Sequence, residues 1–209
     1  MYAEKLYILG DLFDIWIGDD DPARCLQRIV ASLRQLKACG VPIYFQCGNR
    51  DFLIGKDFLR EHGVEWLEDY AVIDLYGVPT LLMHGDLLCT DDRAYQHFRA
   101  QSRTVEWRQR ALRKPLWLRL SYARWYRLRS YWHKRQVDGA IMDVNPLSVA
   151  QTFREHEVKR LIHGHTHRPG VYPVADMPQA RRFVLAEWRQ GATMLWWNAE
   201  GYRYESITD

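Results

Sequence analysis

Four short stretches of the 209-residue chain hold residues able to do chemistry, and each follows an apolar run: Gly10-Asp11, Gly48-Asn49-Arg50-Asp51, His84-Gly85-Asp86 and Gly164-His165-Thr166-His167. Together they offer a carboxylate, an amide oxygen and imidazole nitrogens, a donor set suited to Mn²⁺, Zn²⁺ or Fe²⁺. No cysteine stands among them, which argues against a structural zinc site. Asp11 has two oxygens with which to bridge two ions, Asn49 a neutral carbonyl, and His84, His165 and His167 ring nitrogens. Two ions about 3.5–4 Å apart would convert a bridging water into hydroxide and clamp a phosphoryl group for in-line attack. Taken singly, a Gly-Asp pair is an ordinary turn and a histidine an ordinary core residue; repetition at four strand ends is what points to metal. Alternation along a strand end would aim His165 and His167 to one side. His62, His97, His133 and His156 have no such company and read as surface residues.

The elements that must position these groups follow from periodicity. "KLYILGD" and "VPIYFQCGNRD" read as strands, and "PARCLQRIVASLRQLKACG" between them has helical spacing and a glycine stop. Strand, helix, strand in that order predicts a right-handed crossover in a mostly parallel sheet. Ligands of such sheets bind beyond the carboxyl ends of the strands, where the four stretches fall. Further on, "KDFLREHG" predicts a short helix, "VEWL", "YAVIDLYG" and "PTLLMHGD" strands, and "NPLSVAQTFREHE" a helix entered at Asn145-Pro146. "VKRLIHGHTH" is again a strand, and the tail from Arg181 alternates and turns at Gly191 and Gly201 like an antiparallel meander.

Composition limits the alternatives. Hydrophobic residues make up 47% and charged residues 26%, the balance of a globular chain of one domain. No apolar run reaches the roughly 18–20 residues needed to span a bilayer, and no signal peptide is visible. The four cysteines lack paired spacing, so a reducing cytoplasm is the expected setting. The net charge of +3 conceals a strong asymmetry: residues 93–137 hold 13 Lys and Arg against one acid, Glu106, a balance of +12 that leaves −9 for the remainder. Four of the nine tryptophans, Trp107, Trp117, Trp125 and Trp132, lie in the same basic, helical block.

The order "GD", "GNRD", "HGD", "GHTH" resembles the calcineurin-like metallophosphoesterases. The longer stretches "LYILGDLFDIWIGDDD", "GNRDFLIGK", "MHGDLLCTDD", "AIMDVN" and "LIHGHTHRP" are similar to the branch of that family that acts on a UDP-linked diacylated glucosamine lipid in lipid A biosynthesis. The resemblance implies an α/β fold, a sandwich of mixed sheets flanked by helices, over residues 1–209, with residues 93–137 as an inserted helical cap. It implies Mn²⁺-dependent hydrolysis of the pyrophosphate to UMP and a 2,3-diacylglucosamine 1-phosphate. By the same resemblance Asp11, Asn49, His84, His165 and His167 are metal ligands; Asn49, Arg50, Asp92, Ser130, Lys134 and His165 face substrate; and Asp11, Asn49, Arg50 and His165 are catalytic. Val137 stands near a position where the family carries a lysine.

Arg50 occupies the place where many phosphoesterases of the wider group have a histidine. A guanidinium stays charged at any working pH, and its planar fork matches phosphate oxygens. A phosphate leaving group, with a second pKa near 6, needs little protonation. Arg50 therefore favours pyrophosphate over alkyl ester cleavage. For the basic aromatic block the expected partner is an anionic membrane surface rather than nucleic acid, which places the protein peripherally on the cytoplasmic face of the inner membrane. A hairpin whose arginines merely face water is the plainer reading. The family begins with a strand ending in Asp-x-His, and residues 1–10 contain none. The expectations are a longer natural protein and, for this chain, one tightly held ion in place of the family's two, with poor hydrolysis. A general nucleotide phosphodiesterase and a non-enzymatic membrane-binding relative are the other functions these residues allow.

Overall fold

The computed structural model describes residues 3–22, 24–136, 143–188 and 192–207. Val137 and Gly191 lie outside the described residues, as do Ala140, Ile141 and Met142 of "AIMDVN" and the side chains of His133 and Lys134. The chain divides into two compact units, residues 1–68 with 92–140 and residues 69–91 with 141–209.

The first unit contains strand β1 (Leu6–Leu9), helix α1 (Arg24–Ala38), β2 (Ile43–Gln46), α2 (Lys56–Glu61) and β3 (Val64–Leu67), then helices α3 (Arg93–Ser102), α4 (Val105–Leu112) and α5 (Leu116–Gln136). Its three strands pair in parallel in the order β1-β2-β3, Leu6 opposite Ile43 and Ile43 opposite Val64. Parallel strands require crossovers, and α1 and α2 supply them. Their apolar faces contribute Leu33 and Leu59 to a core that includes Ile43, Phe45, Val64, Phe13 and Trp16, and Trp107 of α4 packs against the same cluster. Because β1 and β2 run the same way, the turn at Asp11 and the turn at Asn49 leave the same edge of the sheet.

The second unit contains β4 (Ala71–Asp74), β5 (Pro79–Met83), α6 (Pro146–Glu155), β6 (Arg160–His163), β7 (Gly170–Val174), β8 (Met177–Val184), β9 (Ala192–Asn198) and β10 (Gly201–Ile207). Five strands form a sheet in the order β4-β5-β6-β8-β7; β5, β6 and β8 are mutually parallel, and β4 and β7 are antiparallel edges. Leu81, Met83 and Leu161 meet Val149, Ala150 and Phe153 of α6 in its core. The predicted entry to α6 is present: Asn145 accepts from the backbone N–H of Leu147 (2.9 Å) and Ser148 (3.2 Å), and Pro146 fills the first turn, where no N–H is needed.

The tail departs from the expected meander. The strand around Phe183 joins β6 in parallel, its other neighbour is the unexpected antiparallel strand β7, and the remainder of the tail forms the antiparallel hairpin of β9 and β10, with Gly201 opposite Asn198. Phe183 packs edge-on against Trp197 and Tyr202, at 4.9 and 5.0 Å between ring centroids, a long-range aromatic contact that local alternation does not encode. Among the described residues no helix is long and apolar enough to cross a membrane.

Candidate active site

The carboxyl end of β1 turns through Gly10 (φ 85°) into Asp11, which is itself left-handed (φ 56°). This conformation is costly for a residue with a Cβ, and it is held by two contacts to the turn after β2. The Arg50 backbone N–H donates to Asp11 Oδ1 (2.9 Å), and the Arg50 guanidinium lies 3.6 Å from Asp11 Oδ2. Gly48 makes the approach possible: a Cβ there would sit 2.1 Å from Asp11 Oδ1. The same turn is closed by the buried Asp51, which accepts from the Gly48 N–H at 2.7 Å. Asn49 is half-buried between them. Arg50 reaches on to Asp14 (2.9 Å), which also contacts Arg127 of α5 (3.5 Å).

Arginines of the basic helices bind the backbone of this region, a role the charge count did not reveal. Arg103 donates to Cys47 Sγ (2.7 Å) and to the Gly48 carbonyl (2.8 Å), and Arg108 to the Ile54 carbonyl (2.8 Å). Arg119, 7% exposed, donates to the Ile17 carbonyl (2.6 Å) and pairs with Asp20. That guanidinium holds the Asp20 carboxyl below the usual range, while burial pushes the neighbouring Asp19 up. Asp19 accepts from the Trp16 indole and the Gly55 N–H, both at 3.0 Å, so the acids after Gly18 anchor helices. The reading in which the arginines merely face water therefore fails for Arg103, Arg108 and Arg119. Asp92 caps α3 by accepting from the Tyr95 N–H (3.0 Å), and Ser130 is half-buried on α5.

In the second unit, parallel pairing of β5 and β6 places Met83 opposite His163 and brings their following turns together. His84, 4% exposed, and His165 meet there, with His84 Nε2 3.1 Å from His165 Nδ1 and the rings tilted by 67°. Two nitrogens that share one ion at about 2.1 Å lie about 3.0–3.4 Å apart, so this spacing fits a common metal. The approach needs Gly85, where a Cβ would fall 2.6 Å from His163 Nδ1. His163 itself is fully buried and structural. Its Nδ1–H donates to the Gly164 carbonyl (2.8 Å) and its Nε2 accepts from Arg182 (2.9 Å); burial and then the Arg182 charge push its pKa down to about 3.

His165 (φ 65°) and His167 (φ 56°) are left-handed, so strand alternation is not what orients them; β6 ends at His163. Of the six described non-glycine residues with positive φ, three are Asp11, His165 and His167. Such strain is retained where the surrounding structure over-determines a site. His167 Nδ1 lies 2.8 Å from Glu187 Oε2, a partner that sequence reasoning missed. The donor chemistry and the His84–His165 spacing fit a divalent metal ion, the cofactor that the protein requires.

The model of the calcineurin-like phosphoesterase family matches residues 3–169, and the chain belongs to that family. It is a metal-dependent hydrolase. Among individual relatives it is similar to UDP-2,3-diacylglucosamine hydrolase of Nitrosococcus oceani, 47% identical across 97% of this chain and 82% of the relative. The protein of the same name from Serratia proteamaculans is 46% identical across 93% of this chain and 82% of its own length. The solved structure of an archaeal phosphodiesterase shares the fold, with a TM-score of 0.50, 12% identity and coverage of 98% of this chain and 84% of its own.

Proposed function

We propose that the chain hydrolyses the pyrophosphate bond of UDP-2,3-diacylglucosamine, releasing UMP and 2,3-diacylglucosamine 1-phosphate. The observation that carries this reading is 47% identity, along 97% of the chain, with a relative named for that substrate. Asp11, Asn49, His84, His165 and His167 are the proposed metal ligands, with Mn²⁺ as the ion. When bound, it supplies a hydroxide nucleophile at neutral pH and offsets charge on the phosphoryl oxygens. Asp11, Asn49, Arg50 and His165 are the proposed catalytic residues. Arg50 binds the pyrophosphate oxygens as a fixed cation, held by its backbone to Asp11 and by its side chain to Asp14. Asn49, Asp92, Ser130, Lys134 and His165 complete the proposed substrate contacts.

The lipid end is assigned to residues 93–137, read as a cap inserted into one metallophosphoesterase domain. On α5, Trp117, Trp125, Leu128 and Trp132 are 69%, 56%, 57% and 54% exposed. At 3.6 residues per turn they fall within an arc of about 80°, with Arg124 and Arg129 at its margins. An exposed aromatic stripe edged by cations suits acyl chains and an anionic leaflet, and supports a peripheral position on the cytoplasmic face of the inner membrane.

The test is turnover of UDP-2,3-diacylglucosamine against a plain nucleotide diester, with Mn²⁺ and after chelation, with UMP as the measured product. A strong preference for the UDP-lipid, lost on chelation and restored by Mn²⁺, is expected. Equal or faster cleavage of the diester would instead make the protein a general phosphodiesterase.

A further inference from the structure

We propose that Glu187 is a positioning residue for metal binding: its carboxylate fixes the ring and tautomer of His167 so that Nε2 is the nitrogen presented to the ion. The inference rests on the reading of His167 as a metal ligand. The contact is His167 Nδ1 to Glu187 Oε2 at 2.8 Å, with both side chains about one-third exposed. A carboxylate only accepts, so Nδ1 carries the hydrogen and the lone pair of the neutral ring belongs to Nε2.

The fold makes this pairing. β6 and β8 are parallel neighbours, His163 opposite Val184, so the segments that follow them leave the same sheet edge. The Leu185 N–H donates to the His163 carbonyl (2.7 Å), extending the pairing beyond the strand ends and bringing Glu187 alongside the turn that holds His167. That turn needs the restraint, because His167 stands in the left-handed region at φ 56°. A carboxylate on the far nitrogen of a ligating imidazole sets its orientation and raises its basicity, and its removal costs roughly 10–100-fold in metal affinity.

The experiment compares wild type, Glu187→Ala, Glu187→Gln and His167→Ala in the full chain. It reads the Mn²⁺ dissociation constant by chelator competition, and the His167 tautomer of the metal-free protein by long-range ¹H–¹⁵N correlation. The wild type is expected to show Nδ1–H. Glu187→Ala is expected to lose that form and to bind Mn²⁺ roughly 10–100-fold more weakly. Glu187→Gln, whose amide oxygen still accepts from Nδ1, is expected to keep the tautomer and lose less affinity. Retention of Nδ1–H or of full affinity in Glu187→Ala would overturn the inference. If His167→Ala weakens Mn²⁺ binding while Glu187→Ala does not, only the role of Glu187 falls; if His167→Ala leaves binding unchanged, the ligand reading falls and takes the inference with it.

Discussion

Replacing Gly48 by alanine adds a single methyl group at the closest approach between the turns after β1 and β2. That Cβ would lie 2.1 Å from Asp11 Oδ1 and 2.5 Å from the Asp11 backbone nitrogen. Ordinary contacts stand at about 3.5 Å, so Asp11 must retreat by about 1 Å or more. A rotamer change cannot provide this, because one of the clashing atoms is backbone. Gly48 is not in the left-handed region, so alanine fits its own backbone and the effect is purely one of space. If Asp11 is catalytic as proposed, a displacement of 1 Å there costs about 100-fold, or about 2.7 kcal/mol of transition-state stabilisation. Steady-state kcat/KM on the UDP-lipid is the assay, and differential scanning calorimetry reads the fold. The control is Gly40→Ala, where no heavy atom lies within 4 Å but φ is +82°. It should lower Tm by a few degrees through backbone strain of about 1 kcal/mol and leave kcat/KM unchanged. If Gly48→Ala retained kcat/KM within about threefold of wild type, the tight packing of this turn would not be holding Asp11 for catalysis.

Four other outcomes are expected. Arg50→Ala should lower kcat/KM on the UDP-lipid by about 100-fold or more, in line with loss of a charge-stabilising donor, while Tm changes little; unchanged kcat/KM would remove Arg50 from the pyrophosphate site. Arg119→Met should destabilise the fold by about 2–3 kcal/mol in urea unfolding, because the buried Ile17 carbonyl loses its donor. The same variant tests a pH effect: Arg119 lowers the folded-state pKa of Asp20, so the pair's stabilisation is present above the ordinary carboxylate value near 4 and is lost as pH falls through the folded value. Wild-type stability should accordingly fall more steeply than that of Arg119→Met in this acid window. Exchange of Trp117 and Trp125 for serine should weaken binding to anionic vesicles by about tenfold per residue at unchanged Tm, since burying an aromatic side chain contributes about 1.5–3 kcal/mol; co-sedimentation measures it.

Much of the candidate site was legible because it is written locally. Each candidate ligand lies in a stretch that ends an apolar run and contains a glycine, a signature of strand and turn that needs no knowledge of the partner strand, and the Asn145-Pro146 cap is equally local. Glu187 was not legible, since its meeting with His167 depends on β8 pairing in parallel with β6, twenty residues away along the chain and on no nearby pattern. The edge strand β7 was hidden for a related reason: its "GVYPV" contains Pro173, tolerated only where the ladder does not need the N–H. The arginines misled in a different way. A charge count treats Arg103 and Arg129 alike, whereas Arg103 is committed to the backbone of the turn after β2 and Arg129 lies over the ring of Trp125 at the surface.

The commitment of Arg103, Arg108 and Arg119 to the carbonyls of Gly48, Ile54 and Ile17 bears on how this protein can be re-engineered. Helices α3 to α5 cannot be exchanged as a cassette, because a graft would carry away the donors that complete the recipient's loops. A transplant that respects this wiring moves the three arginines together with Ile17, Asp20 and the segment from Cys47 to Ile54. The boundary of any exchangeable module is therefore drawn by hydrogen bonds rather than by the ends of the helices.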